Sequence, residues 1–215
     1  MALSLVVEEP PAPSFSPSLA TPLIPTESEF KATSLQTRKA QLHDAHAIHQ
    51  LIESFTCDGT LLHRFYAEIC ANIHTFTIVE TGSRQFIGCA ALHVYGQHLA
   101  EVRSIVVRPD TKGQGAGGLL VRALLDQAEA SGIKCVCLFT RIPAFFEHFH
   151  FRIADHQTFR DKVIKDCMHC ARRNACDETA MAIGELPAPR DLPHDLLSGR
   201  FFQPRHHADL VQLQI

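Results

Sequence analysis

The stretch Glu101–Gln127, EVRSIVVRPDTKGQGAGGLLVRALLDQ, sets a strand, a glycine-rich turn and an amphipathic helix end to end, and few folds accommodate that succession. Val102, Ile105, Val106 and Val107 form a β-branched run that Pro109 ends, because proline has no N–H with which to continue a strand's hydrogen bonding. Lys112-Gly113-Gln114-Gly115-Ala116-Gly117-Gly118 follows, and then Leu119, Leu120, Ala123, Leu124 and Ala128 recur at the spacing of one helical face. The glycines therefore sit where a helix begins. The first turn of a helix leaves backbone N–H groups unpaired and carries the positive end of the dipole, so it attracts anions. Glycines there let a diphosphate approach the backbone without meeting Cβ atoms.

Several nucleotide-binding loops share that logic. A P-loop needs Gly-x-x-x-x-Gly-Lys-Ser/Thr, and no lysine or hydroxyl follows Gly117 or Gly118; a Rossmann turn opens its domain and is answered by an acidic residue about 20 residues on. Neither fits. A strand-to-helix turn that binds nothing also remains open on these residues alone. The segment resembles the pyrophosphate loop of the GCN5-related N-acetyltransferases, Arg/Gln-x-x-Gly-x-Gly/Ala, here Lys112-x-x-Gly115-x-Gly117 with lysine in the first place. The resemblance implies that the backbone of Lys112, Gly113, Gln114, Gly115, Ala116, Gly117 and Gly118 holds the diphosphate of acetyl-CoA. It also implies that Ile105, Val106 and Val107 lie beside the pantetheine arm.

Composition narrows the alternatives. The chain has 215 residues, 46% of them hydrophobic and 20% charged, with a net charge of −3, so nothing marks it as a binder of nucleic acid or of membrane surfaces. No run approaches the 18 apolar residues of a membrane span, and the proline-rich acidic start has no signal-peptide pattern. Eight cysteines are present, at 57, 70, 89, 135, 137, 167, 170 and 176. Four of them, at 70, 89, 135 and 137, fall in expected helices or strands as small core residues would, which points to a reducing, cytoplasmic setting.

Residues 1–32 are expected to form a disordered tail, since the first 30 hold six prolines, four glutamates and no lysine or arginine. Residues 33–184 then read as one α/β domain. Strands are expected at Leu35–Lys39, Thr75–Glu80, Gln85–Tyr95, His98–Val107 and Lys134–Thr140, with Phe151–Ile153 and Met181–Ile183 pairing last. Asp44 is placed to cap a first helix, and Leu62, Phe65, Ile69 and Ile73 mark the inward face of a second over 61–73. Thr81-Gly82-Ser83-Arg84 is a hairpin signal. A short helix contains Ala144–Phe149. This order matches the acetyltransferase fold, a mixed central sheet in which strands four and five splay and the cosubstrate lies in the gap. Residues 185–215 read as an extension around Leu192, Leu196, Leu197, Phe201 and Phe202.

Three further stretches narrow the resemblance: 59–76, 140–147 and 162–181, the last containing Lys162-Val163-Ile164-Lys165-Asp166-Cys167 and Cys176-Asp177-Glu178. Together they resemble the short, stand-alone N-acetylglutamate synthases, which acetylate the α-amine of glutamate at the start of arginine biosynthesis; the kinase domain of the long form has no room here. The reaction needs a base for the substrate ammonium, donors for the thioester oxygen, and cations for the carboxylates. By resemblance Glu101 is the expected base, with an edge-strand surface carboxylate as its alternative, and the N–H of Ile105 or Val106 polarises the acetyl carbonyl. Arg64, Arg103 and Arg141 are candidates for the carboxylates, since guanidinium groups match them bidentately. Arg64 and Arg141 are expected to be the principal pair.

Phe146 stands where many relatives place a general-acid tyrosine, so Ser104, His148 or water is left for that role. Cys167-x2-Cys170-x5-Cys176 lacks a second Cys-x-x-Cys, and is read as shaping a loop, as thiols or through a disulfide, with no metal expected. Expected partners are glutamate and acetyl-CoA, with a homodimer left open and neither nucleic acid nor membrane. The competing readings are an acetyltransferase for another small amine or a protein N-terminus, and a non-catalytic acyl-CoA-binding module.

Overall fold

Residues 76–81 are all buried, which a strand achieves only when both faces of its sheet are covered. The protein, described here from a computed structural model over residues 34–57, 59–170 and 172–188, achieves this with a seven-stranded sheet. Its strands are β1 (Leu35–Lys39), β2 (Phe76–Thr81), β3 (Phe86–Gly96), β4 (Leu99–Val107), β5 (Cys135–Thr140), β6 (Arg152–Ile153) and β7 (Thr179–Gly184). The helices are α1 (Ala45–Glu53), α2 (Tyr66–Ala71), α3 (Ala116–Ala130), α4 (Pro143–Glu147) and α5 (Arg160–Lys165). The strand order is β1-β2-β3-β4-β5-β7-β6, with every neighbouring pair antiparallel except β4 and β5. This is the mixed α/β arrangement that the order of elements implies.

Side-chain alternation assigns each face. Val79, Leu92, Ala100, Val102, Val136 and Leu138 pack under Leu120, Val121 and Leu124 of α3. On the other face Ile78, Cys89, Ala91 and Val106 meet Ile48 and Ile52 of α1 and Ile69 of α2. Farther along that second face, Leu99, Cys135, Cys137 and Ala182 surround Phe159, which brings α5 down onto the sheet.

β4 changes phase partway along. Arg103 pairs with Ala91 and Val106 with Cys89, so Ser104 and Ile105 together oppose one residue of β3. That is a β-bulge. Ser104 takes φ +52° there, and the extra residue moves Val106 onto the face already used by Glu101 and Arg103. Gly88 lies opposite the kink, where a Cβ would stand 2.5 Å from the Val106 carbonyl oxygen and 3.0 Å from Val107 Cα. Only glycine fits that approach.

The parallel contact is short. Ala100 pairs with Val136 and Glu101 with Cys137, and no registered pair follows. β5 instead continues along β7 as far as Thr140 opposite Thr179, so β4 and β5 part company beyond Glu101. The final pairing expected from sequence is present, with Arg152 opposite Ala182 and Ile153 opposite Met181.

Two local expectations change. The second helix begins at Tyr66 and not near residue 61: Phe65 is extended, and Phe65 and Leu62 are 70% and 50% exposed, leaving Ile69 as the buried residue of α2. The 61–65 segment is tied instead by the Leu61 N–H to the Phe55 carbonyl. Asp44 does precede α1, but its carboxylate accepts from the Gln41 N–H at 2.7 Å and grips Arg38 at 2.8 and 2.9 Å, so it caps no N–H of that helix. The helix at 160–165 was not anticipated. The expected tail over 1–32 and the five apolar residues of the C-terminal extension lie outside the described residues. Among the described residues no helix is long and apolar enough to cross a membrane.

Gly88→Ala should lower stability by about 1–3 kcal/mol, the cost of overpacking where backbone cannot yield. Urea denaturation monitored by circular dichroism checks this, with an unchanged midpoint as the contrary result.

Candidate active site

Where β4 and β5 separate, a cavity of about 400 Å³ opens. Ser104, Ile105 and Val107 form one wall and Phe139, Thr140 and Arg141 the other, with Lys112–Gly118 at one end. Gly113 and Gly115 take φ +77° and +81°, and a Cβ on either would meet nothing within 4 Å, so the turn offers bare backbone to open space. Gly115 is the N-cap of α3, a 15-residue helix whose first N–H groups point the same way. The turn thus fits an anionic diphosphate, and the apolar strand residues fit the arm that follows. Nine of the ten residues expected at the cosubstrate line this gap, and Gln114 does not. The bulge at Ser104 breaks the β3–β4 ladder against the same wall.

Glu101, the base expected from the resemblance, sits at the last parallel pair and is 2% exposed. Its Oε1 lies 2.7 Å from Lys162 Nζ, and its Oε2 accepts from Arg103 Nη2 at 2.7 Å and from the Tyr95 hydroxyl at 2.8 Å. Asp166 closes the cluster, accepting from Lys162 at 2.8 Å and from Arg103. Burial favours the neutral acid, but Lys162 and Arg103 together outweigh it and hold the Glu101 carboxyl below its ordinary range. Burial likewise opposes the Lys162 charge, and Glu101 reverses that, so its ammonium is held above the usual value. Glu101 does not line the cavity.

A second, smaller cavity of about 70 Å³ adjoins the first on the α2 side. Arg103 and Ser104 line both. Arg64, Glu68, Asn72, Thr75, His93 and Lys165 complete the polar part of its wall. Lys165 Nζ is 2.6 Å from His93 Nε2, and burial together with the positive Arg103 and Lys165 pushes the His93 pKa down to about 4. The imidazole is therefore neutral near pH 7 and accepts from the ammonium. Arg64 contacts Glu68 at 3.0 Å, one helical turn on.

The three candidate arginines thus divide. Arg64 and Arg103 converge on the small cavity, whereas Arg141 lines the large one, donating to the Gly59 carbonyl at 2.6 Å and lying 3.0 Å from Asp177. Lys162, Lys165 and His93 were not assigned roles from sequence; the spacing of Lys162 and Lys165, three apart on a short helix, was the available signal. Phe146 is buried and supplies no hydroxyl, and His148 is exposed with Nδ1 2.7 Å from the Ala144 carbonyl. All eight cysteines are free thiols, and among the described residues no group of three or more His, Cys, Asp or Glu side chains could hold a metal.

A sheet splayed at one parallel pair, with a glycine turn and helix N-terminus at the open end, defines an acyl-CoA-dependent transferase. The sequence pattern of the Acetyltransferase (GNAT) family matches residues 42–151, and the chain belongs to that family. It is similar to an uncharacterized N-acetyltransferase of Chlorobaculum tepidum, 33% identical over 144 residues, covering 67% of this chain and 92% of that protein. It is similar also to the amino-acid acetyltransferase of Vibrio atlanticus, 31% identical over 110 residues, covering 51% of this chain but only 24% of that longer protein. Among solved structures it resembles N-acetylglutamate synthase from Neisseria gonorrhoeae complexed with coenzyme A and N-acetyl-glutamate. There the TM-score is 0.61 at 24% identity, over 70% of this chain and 35% of that one. The protein is an acetyltransferase, and its cosubstrate is acetyl-CoA.

Glu101→Gln leaves Lys162 facing a neutral amide in the interior and should cost about 3–5 kcal/mol, read as a lower midpoint in chemical denaturation. Because the folded Glu101 carboxyl is held below its unfolded value, its contribution is complete above the unfolded value of about 4.3 and is lost as pH falls through the folded one. The wild type should therefore lose stability below roughly pH 4, with a shallower slope in the variant. Equal slopes would remove Glu101 from that role.

Proposed function

We propose that this protein transfers acetyl from acetyl-CoA to the α-amine of an acidic amino acid, L-glutamate foremost, and so acts as an N-acetylglutamate synthase in arginine biosynthesis. The observation that carries this reading is the small cavity, where Arg64, Arg103 and Lys165 meet beside Ser104 and so beside the acetyl position. Asp166 and Glu101 already occupy Arg103 from behind, and Glu68 occupies one side of Arg64, but Lys165 contacts a neutral imidazole and the face of Tyr95. Its charge remains available to an acceptor's carboxylate. The names of the Vibrio and Neisseria proteins support an amino acid as acceptor.

In this reading Arg64 and Lys165 bind the side-chain carboxylate and Arg103 fixes the acceptor beside the bulge, whose N–H groups of Ser104 and Ile105 take the developing oxyanion. Arg141 holds the Gly59 turn at the cavity mouth. In the same reading Ser104 relays the surplus amine proton to the departing thiolate. The eight free thiols suit a reducing cytoplasm.

CoA release measured over a panel of glutamate, aspartate, glutamine, leucine and an N-terminal peptide tests the acceptor. Glutamate should be preferred, and equal rates across the panel would overturn the reading. Arg64→Ala and Lys165→Ala should each raise the KM for glutamate by about 10- to 100-fold, as expected for losing a hydrogen bond to a charged group. The KM for acetyl-CoA should stay unchanged.

A further inference from the structure

Glu101 is enclosed among two cations and a phenol and lies outside the cavity wall, so the proton of the acceptor ammonium needs another destination. One carboxylate does face the large cavity. Glu178 immediately precedes β7, next to the last β5–β7 pair of Thr140 with Thr179, and lines the cavity with Ser104, Thr140 and Arg141. Its neighbour Asp177 takes the nearby guanidinium groups, lying 3.0 Å from Arg141 Nε and 2.9 Å from Arg172 Nη2. Among the described residues no side-chain hydrogen bond or ion pair engages the Glu178 carboxylate.

We infer that Glu178, and not Glu101, is the general base. The inference rests on the acetyltransferase chemistry of the family and holds whichever amine is the acceptor. The Glu178 carboxylate takes one proton from the ammonium, and the freed lone pair forms the N–C bond to the thioester carbon. The C–S bond breaks with its electron pair going to sulfur, the surplus N–H proton passes to that thiolate, and Glu178 returns its own proton to water. The product is an amide and CoA thiol.

The groups around Glu178 set its proton affinity. Burial raises it most; Arg141 after β5 and Lys162 of α5 lower it, while Asp177 beside it and Glu101 on β4 raise it, and the net direction is upward. His156 approaches from the backbone side of the same residue. A carboxylate raised in this way is a better base near neutral pH than an ordinary one. Asp177 and Glu178 thus divide the work, the first neutralising arginines and the second facing the cavity.

The test uses the full chain, saturating acetyl-CoA and whichever amine of the panel is acetylated fastest, so a failed preference for glutamate does not affect it. E178Q should lower kcat by at least about 100-fold, the usual contribution of a positioned base. It should leave acetyl-CoA affinity by calorimetry and thermal midpoint unchanged, and abolish the acid limb of the pH–kcat profile. Formate added to E178A should restore part of the rate, which a merely structural carboxylate would not allow. E101Q should retain the acid limb while losing stability. Retention of kcat within about threefold in E178Q, a flat wild-type profile, or an acid limb lost in E101Q and kept in E178Q overturns the assignment. If E178Q fails to fold, E178D decides: a reduced kcat with the limb intact supports it, and an unchanged kcat overturns it.

Discussion

A carboxylate that is 2% exposed keeps its charge only if cations come to it, and the arrangement around Glu101 is the consequence. Arg103 comes from the same strand two residues on, Tyr95 from β3, and Lys162 from a helix about 60 residues later in the chain. Asp166 balances the second cation, so two acids and two bases leave no uncompensated charge. The cluster stands where parallel pairing of β4 with β5 ends. It fills the α5 face of that junction while the open gap lies beyond it, so the strands are held at a fixed angle with no hydrogen bonds between their upper halves. The same contacts fasten the 160–166 segment to β4, and His98 adds a second tie, 2.8 Å from Asp161. The segment that brings Lys165 to the small cavity is thereby attached to the strand whose Arg103 and Ser104 line both cavities.

The bulge at Ser104 provides a second constraint of the same kind. Strict alternation from Glu101 would put Ile105 on the α5 face; one extra residue puts Val106 there and turns Ile105 and Val107 toward the core under α3 and the cavity. Arg103 and Ser104 are left at the kink, where they border both cavities. A regular β4 would keep those spaces apart. Gly88 on β3 permits the kink, because any side chain there would collide with the carbonyl of Val106.

Much of the fold is legible in local pattern. The β-branched run ending at Pro109, the glycines, and the i, i+4 spacing of Leu120 and Leu124 all act over a few residues, and the strand, turn and α3 follow them. The KCVCLFT run is apolar from Cys135 to Phe139 and is buried on both faces but for Lys134 at its edge and Phe139 in the gap. What was not legible depends on partners far away in sequence. Leu62 and Phe65 have helical spacing, yet both stay exposed, with the neighbouring His63 ring against Phe65, so that spacing creates no helix. Glu101 is expected as the base, with a surface acid as its alternative, and nothing near it in sequence announces Lys162, whose arrival makes its burial tolerable. Arg141 was expected to await a substrate carboxylate and instead meets Asp177, a partner within its own chain. The acids and bases of the site were therefore recognisable as types, while their pairing was not.

The pairing also explains how one sign of charge accumulates at the small cavity of a chain whose net charge is −3. Asp166 lies close to the small cavity and would neutralise it, but Lys162 and Arg103 both bind it from the interior. His93, with a pKa pushed down to about 4, adds no charge of its own and accepts from Lys165 in place of a carboxylate. Among the described residues Glu68 is the one acid on that wall, set against Arg64, Arg103 and Lys165. On the proposed reading, a cationic acceptor would be repelled from such a space, an apolar one would leave the Lys165 ammonium with only a neutral imidazole and a phenol ring, and an acceptor with its own carboxylate would pair with it. The buried cluster thus does two things at once: by consuming Asp166 on its inner side, it leaves the positive edge of the site facing outward.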